Sequence, residues 1–232
     1  LENMVETSDE WITQRTGIKE RHVLKDEQAT SDMAVAASEK ALQRAGLRPE
    51  DLDAIMVATC TPDHFFPATA CITQARLGAT DAMACDLEAA CSGFVYALTH
   101  AAAMLETGMA DNILVIGAET LSRMTDYTDR RSCILFGDGA AAALLRRATD
   151  GGQVLYTELG ADGSGGDLLI IPAGGTRSPA SLETVKNRRH YMKIKGPEVF
   201  KIAVNKLLEL LQRIPEETGV DLADIKMVIV PQ

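Results

Sequence analysis

The sequence predicts a layered α/β fold, a sheet covered on both faces by helices, and three observations carry that expectation. Short uncharged runs rich in branched residues recur along the chain, each about as long as one buried strand. Segments with apolar residues at helical spacing alternate with them. One helix–turn–strand unit then recurs near the end of the chain, 173 residues after its first occurrence.

Taken in order, the chain opens on LENMVE, a helix-like start. From Ser31, the residues Met33, Ala34, Ala37, Ala41, Leu42 and Ala45 keep helical spacing, with Thr30-Ser31-Asp32 as the cap region and Gly46 as the stop. Ala54 to Thr59, AIMVAT, reads as a buried strand, as do MACDL around Met83 and ILVIG around Ile113. No Asp, Glu, Lys or Arg lies between Glu88 and Glu106, so the helix-like stretch from Ser92 to Leu105 is expected to be a central helix, buried on nearly all sides. Asp138 stands between Gly137 and Gly139. A metal ligand or catalytic acid fits that residue type, but an Asp between glycines is more often a turn-former. Gly160 to Gly166 and the loop from Pro172 to Ser178 contain neither a GxGxxG opening a helix after a strand nor a GK[ST], and read as turns. The recurrence places Gly219-Val220 and Asp224 to Val230 on Gly46-Leu47 and Asp51 to Val57. Two copies of one α/β unit explain it, and so does the general likeness of any amphipathic helix followed by a strand.

A composition of 46% hydrophobic and 24% charged residues is that of a folded globular protein. With 23 basic against 33 acidic residues the net charge is −10, a field that repels nucleic acid and anionic membrane. No apolar run approaches the roughly 20 residues that span a bilayer, and no N-terminal signal pattern occurs, which together predict a soluble, cytoplasmic protein. The five cysteines, Cys60, Cys71, Cys85, Cys91 and Cys133, form an odd set without a CxxC pair, so neither a disulfide framework nor a zinc site is expected. Each is read as a buried thiol or a nucleophile. The start at Leu1 and the stop just after the strand-like MVIVPQ suggest part of a longer protein.

The segment Asp86 to Leu98, DLEAACSGFVYAL, holds the candidate nucleophile. Cys91 precedes the central helix among Ala89, Ala90, Ser92 and Gly93, small residues that leave room for a backbone or a substrate beside the sulfur. Free N–H groups and the positive dipole end at a helix N-terminus favour thiolate over thiol. The plainer reading is a small buried hydrophobe, which Cys60, Cys71, Cys85 and Cys133 keep.

The same segment, together with TSDEWITQRTGIKERH from Thr7, HFFPATAC from His64, ILFGDGAAAALL from Ile134 and GPEVFKIAV from Gly196, resembles β-ketoacyl-acyl-carrier-protein synthase III over essentially the whole chain. The resemblance implies a thiolase-like fold, two similar halves in α-β-α-β-α layers. Residues 1–150 would form the N-terminal half with the nucleophile. Residues 151–232 would form a connecting segment and the start of a C-terminal half that is incomplete in this chain. It further implies a homodimer that begins type II fatty-acid synthesis. Cys91 would take an acyl group from a short acyl-CoA, usually acetyl-CoA, and malonyl-acyl carrier protein would then lose carbon dioxide and condense with it. No metal or redox cofactor is implied, acyl-CoA being a substrate.

By the same resemblance Trp11 and Arg130 sandwich the CoA adenine, Thr7 helps to hold it, and Arg15 lies near the pantetheine entrance. Phe66 would reach across the dimer to close the partner's acyl pocket. Leu121, Leu135 and Phe200 would line the tunnel, with Gly196 as a further substrate-binding position. From Lys186 to Lys206 stand seven basic residues against the single acidic Glu198, and Lys201 and Lys206 are the expected docking points for the acidic carrier protein. Two departures stand out. The family's His follows a Val-Pro pair, whereas Val230-Pro231 is followed here by Gln232, so the His is missing from its expected place, and a later Asn and a glycine-rich loop are expected beyond the terminus. Ala141 also replaces the usual glycine of the GDGAGA-type run. His22, His64, His100 and His190 do not occupy the family's position and read as structural or solvent-facing. Within the same fold, hydroxymethylglutaryl-CoA synthase and a polyketide starter enzyme remain alternatives. A non-catalytic partner subunit is the rival from another class.

Overall fold

The computed structural model describes residues 1–147 and 152–230. The chain divides into two compact units, one made of His22–Leu121 and Gly137–Leu159, the other of Leu1–Arg21, Ser122–Phe136 and Gly160–Gln232. The expected division between residues 150 and 151 lies outside the described residues.

The first unit is built on a four-stranded sheet: β1 (Ala54–Ala58), β2 (Met83–Leu87), β3 (Asn112–Thr120) and β4 (Asp138–Arg146), in the order β2-β1-β3-β4. β1 runs parallel to both β2 and β3, and β4 closes the other edge antiparallel to β3. All five residues of β1 are buried, because their side chains alternate between two cores. Ile55, Val57, Leu114 and Ile116 face α2 (Thr30–Ala45) and α3 (Thr69–Leu77). Ala54, Met56, Ala58, Ile113 and Val115 face α4 (Gly93–Glu106). Helices therefore cover both faces of this sheet. Asp32 accepts from the Ala29 N–H at 2.7 Å to start α2, and Gly46 ends it in the left-handed region at φ 67°.

α4 seats closely on this sheet because small residues line the contact. A Cβ on Gly93 would stand 3.3 Å from the Cβ of Ala58, and one on Gly117 would stand 3.4 Å from the Phe94 ring. Ala97 and Ala101 continue the buried stripe.

Several expectations need correction. α4 buries only one face, Gly93, Ala97, Ala101 and Leu105, and Val95 is 47% exposed. The uncharged sequence marks a face that nothing among the described residues covers. β2 is an edge strand with Met83 and Cys85 exposed, since run length does not distinguish a strand with two neighbours from a strand with one. Asp138 begins β4 rather than a turn, and its carboxylate accepts from the Leu24 N–H at 2.7 Å. Of the four cysteines read as buried, Cys71 and Cys85 are exposed and Cys60 is half-buried, leaving Cys133 inside.

The other unit contains α1 (Asp9–Thr16), the two-stranded pair β5 (Leu169–Ile170) and β6 (Lys193–Ile194), α5 (Leu182–Lys186) and α6 (Gly196–Thr218). LENMVE is a turn closed on the Leu1 carbonyl, not a helix. Ser8 caps α1 by accepting from the Trp11 N–H, and Ile12 packs with Cys133 and Ile134 in this unit's core. The run from Gly160 to Gly166 is a set of turns, with Asp162 accepting from the Ser164 N–H at 2.9 Å.

The internal recurrence has a structural counterpart. Gly46 and Gly219 end α2 and α6 in the same left-handed conformation, at φ 67° and 71°. The short 3-10 turns that follow, Pro49–Asp51 and Leu222–Asp224, are likewise 173 residues apart. The correspondence stops there. Met227 to Val230 is not in a strand, and Ile229 is 87% exposed, because a strand forms only where a neighbour takes up its N–H and C=O groups.

Candidate functional site

In an open parallel sheet, ligands sit beyond the carboxyl ends of the strands, where the strand order reverses. Here that point lies at the ends of β1 and β3, and the turn after β2 emerges on the same side. Cys91 sits on that turn. It occupies the middle of the 3-10 turn Ala90–Ser92 rather than the residue just before the helix, with Gly93 opening α4 two positions later. The Ser92 N–H is taken by the Ala89 carbonyl at 3.1 Å, and the Ser92 hydroxyl makes no cap bond to the helix. Ala90 carries φ 45°, a region a Cβ residue enters at a cost of order 1 kcal/mol. This conformation turns the chain sharply between strand and helix and leaves Cys91 exposed. The sequence anticipated the small neighbours of Cys91 but not the strained Ala90.

A polar network fixes the adjoining loop after β1. Glu119, near the end of β3, accepts from the Cys60 N–H at 2.9 Å and from the Thr61 hydroxyl. Thr61 in turn accepts from the Thr120 N–H at 2.8 Å, and the Thr30 hydroxyl donates to the Thr61 carbonyl at 2.6 Å. Burial, reinforced by the Glu119 and Glu88 carboxylates, pushes the Cys60 thiol up to about 12. Cys60 therefore stays a neutral thiol at ordinary pH and is no rival nucleophile. With iodoacetamide at pH 8, Cys60 is expected to be alkylated at least about a hundredfold more slowly than an ordinary exposed thiol, as read by peptide mass mapping. The sequence reading missed Glu119; its one available signal was a carboxylate closing an otherwise apolar strand.

The remaining member of this unit's expected set that stands well clear of the core is Phe66, 85% exposed beside Phe65 at 84%. The loop carrying them is held at its far end by Asp86, which accepts from the Thr69 and Ala70 N–H groups at 2.7 Å each. Leu121, directly after β3, is half-buried.

The other unit assembles a second constellation. Trp11 and Arg15 lie four apart on α1, hence on one face, and the Arg15 guanidinium stands 4.1 Å from the Trp11 ring centroid. Arg130 stands 4.6 Å from the same ring. Both are cation–π contacts. Thr7 is half-buried, and its hydroxyl is a buried oxygen without a hydrogen-bond partner. Leu135 packs at the edge of the Ile12 cluster. Gly196 opens α6, on which Phe200 is 72% exposed.

The basic stretch is less free than its sequence suggests. Arg188 and Lys193 both pair with Asp126, Lys195 pairs with Asp167 at 2.6 Å, and Lys206 pairs with Glu209. Asp126 was not singled out in the sequence. Its side chain is 5% exposed, and the Arg188 guanidinium holds its carboxyl well below the usual carboxylate range.

Residues 85–163 match the family model described as 3-Oxoacyl-[acyl-carrier-protein (ACP)] synthase III. A β-ketoacyl-[acyl-carrier-protein] synthase III of Caldanaerobacter subterraneus subsp. tengcongensis is 54% identical over 229 residues, which cover 99% of this chain and 69% of the relative. The corresponding Natranaerobius thermophilus protein is 50% identical, covering 99% of this chain and 70% of its own. The crystal structure of the Aquifex aeolicus 3-oxoacyl-[acyl-carrier-protein] synthase III superposes with a TM-score of 0.85 at 44% identity, over 97% of this chain and 68% of that one. Fold and site thus define a thiolase-like α/β protein with a cysteine on the turn between a parallel strand and a helix. Within that class, the chain belongs to the β-ketoacyl-[acyl-carrier-protein] synthase III family.

Proposed function

We propose that Cys91 is the acyl-accepting nucleophile of a condensing enzyme, and the observation that carries this reading is the exposed sulfur on a strained turn ahead of α4. The enzyme is an acyltransferase that initiates fatty-acid synthesis by condensing an acyl-CoA with malonyl-acyl carrier protein. The Cys91 thiolate attacks the thioester carbonyl of the acyl-CoA. The carbonyl carbon–sulfur bond to CoA then breaks, and CoA leaves as a thiolate that takes up a proton. The Cys91 backbone N–H belongs to the donors that stabilise the tetrahedral oxyanion. In the second half, the malonyl group loses carbon dioxide, its carbanion attacks the acyl carbon, and Cys91 departs as thiolate. The resemblance assigns decarboxylation to a His and an Asn of the second half, and the acylation half to Cys91.

Trp11, Arg130 and Thr7 form the adenine site of this reading, and the unpartnered Thr7 hydroxyl and the two guanidiniums on one indole support it. Arg130 stands within contact distance of the ring, so a base stacked between them requires Arg130 to swing outward first. Arg15 borders the pantetheine entrance, Leu121, Leu135 and Phe200 belong to the acyl tunnel, and Gly196 is a further substrate-binding position. The active form is a cytoplasmic homodimer in which the exposed Phe66 closes the partner's pocket, and no metal or redox cofactor takes part. No helix among the described residues is long and apolar enough to cross a membrane. The two thiolase-like halves divide at residues 150 and 151. Incubation with acetyl-CoA followed by peptide mass mapping tests the central claim: one acetyl group on the Cys91 peptide supports it, and an unmodified Cys91 refutes it.

Lys201 and Lys206, on α6, are the proposed carrier-protein contacts. Lys206 already holds Glu209, so the double reversal to Glu should raise KM for malonyl-acyl carrier protein only about three- to tenfold at low salt. Steady-state kinetics at two salt concentrations checks this, an unchanged KM removing the assignment.

A further inference from the structure

Arg130 lies on a segment with almost no secondary structure of its own, and its position depends on what ties that segment down. One tie is apolar: Cys133 and Ile134, three and four residues on, are buried against Ile12 of α1, and Arg21 donates to the Ile134 carbonyl at 2.8 Å. The other lies on the opposite side of Arg130 and is ionic. Asp126 Oδ1 accepts from the Thr128 N–H at 3.0 Å and from its hydroxyl at 2.6 Å, folding the chain into a turn. Oδ2 accepts from Arg188 Nε at 3.0 Å and lies 3.4 Å from Lys193 Nζ, while Arg188 Nη2 closes a second bond on Oδ1. The Asp126 carbonyl then accepts from the Asp129 N–H at 2.9 Å, and the Asp129 carbonyl from the Cys133 N–H at 3.0 Å, so successive turns run from one anchor to the other with Arg130 between them. The Met192 N–H also donates to the Met124 carbonyl at 2.8 Å.

Arg188 stands just past α5 and closes its end: its N–H donates to the Val185 carbonyl and the Arg189 N–H to the Thr184 carbonyl, both at 2.9 Å. It holds φ 54°, a conformation a side-chain-bearing residue seldom adopts, and its guanidinium lies 4.9 Å from the Tyr191 ring centroid. The carboxylate is nearly sealed, 5% exposed, whereas Arg188 and Lys193 are 45% and 39% exposed. Two partly solvated cations thus converge on one buried anion.

We propose that Asp126, held by Arg188 and Lys193, is a positioning residue for the nucleotide end of the CoA thioester: it fixes the segment that presents Arg130 to Trp11. The proposal rests on the reading of Trp11 and Arg130 as the adenine site. Asp126 touches no reacting atom, and its effect is confined to ligands that carry the adenosine phosphate moiety. An acyl-pantetheine, which has the same thioester and arm without the nucleotide, does not sense it.

The test measures the concentration dependence of Cys91 acylation by acetyl-CoA and by acetyl-pantetheine in the full-length protein and in Asp126→Asn, Arg188→Gly and Trp11→Ala. Glycine accepts the φ of 54° at residue 188, so Arg188→Gly removes the guanidinium and keeps the turn, and it serves if Asp126→Asn fails to fold. The expected result is a half-saturating acetyl-CoA concentration raised about tenfold in the ion-pair variants, maximal rate and acetyl-pantetheine response holding within about twofold. Asp126→Glu should recover part of the loss. Equal losses with both thioesters, or no loss with either in the folded variants, would overturn the proposal. If Trp11→Ala discriminates between the thioesters and the ion-pair variants do not, the positioning role alone falls. If Trp11→Ala does not discriminate either, the adenine site falls and takes the positioning role with it.

Discussion

Replacing Cys91 by alanine is expected to abolish acetyl transfer to the protein, lowering the condensation rate by about a thousandfold or more while leaving the fold intact. The side chain is exposed and lies on a turn, so its loss opens no cavity and strands no buried polar group. Thermal unfolding should therefore be unchanged within about 0.5 kcal/mol, and this separates the chemical role from a structural one. Cys91→Ser should retain the shape but acylate far more slowly, because a serine hydroxyl is a weak nucleophile without an adjacent base. Mass mapping after incubation with acetyl-CoA reads all three proteins. Acetylation persisting at another cysteine in Cys91→Ala would show that the nucleophile has been misassigned.

The second large effect is expected at Gly93, where the turn bearing Cys91 meets the sheet. A Cβ at this position would stand 3.3 Å from the Ala58 Cβ, tighter than ordinary van der Waals contact, and Ala58 is a buried backbone-borne methyl that cannot rotate away. Gly93→Val adds two further methyl carbons to that contact. It should destabilise the protein by about 1–3 kcal/mol and push the start of α4 off β1. Because Cys91 is two residues upstream on the same rigid turn, acylation should drop at least about tenfold even in the molecules that remain folded. The milder Gly93→Ala should be rescued by Ala58→Gly, which removes the opposing carbon, so the pair should show an interaction energy of about 1 kcal/mol in a double-mutant cycle. Additive effects would mean that the contact does not set the helix position.

Much of the first unit is legible in the sequence, because its elements obey local rules. β1 and β3 are apolar runs with neighbours on both sides, and α2 has helical spacing, an Asp32 cap and a Gly46 stop. The small residues around Cys91 and its place ahead of a helix were legible in the sequence, whereas the contact of Arg15 with Trp11 was not read from it. The helix α4 misled for an instructive reason: absence of charge marks a face meant for contact, but it does not say whether anything in this chain makes that contact. β2 misled similarly, since a strand's own residues do not tell whether it has one neighbour or two.

Composition, periodicity and motif order by themselves determined the α/β class and the family, because each depends on residues close together in the chain or on their order. Tertiary structure alone decided that Glu119 grips the loop of Cys60 and that Asp126 draws in cations from more than sixty residues away. These contacts join segments that no local spacing relates. They exist only once the backbone has folded and the free energy of a buried carboxylate requires partners from wherever the chain happens to pass.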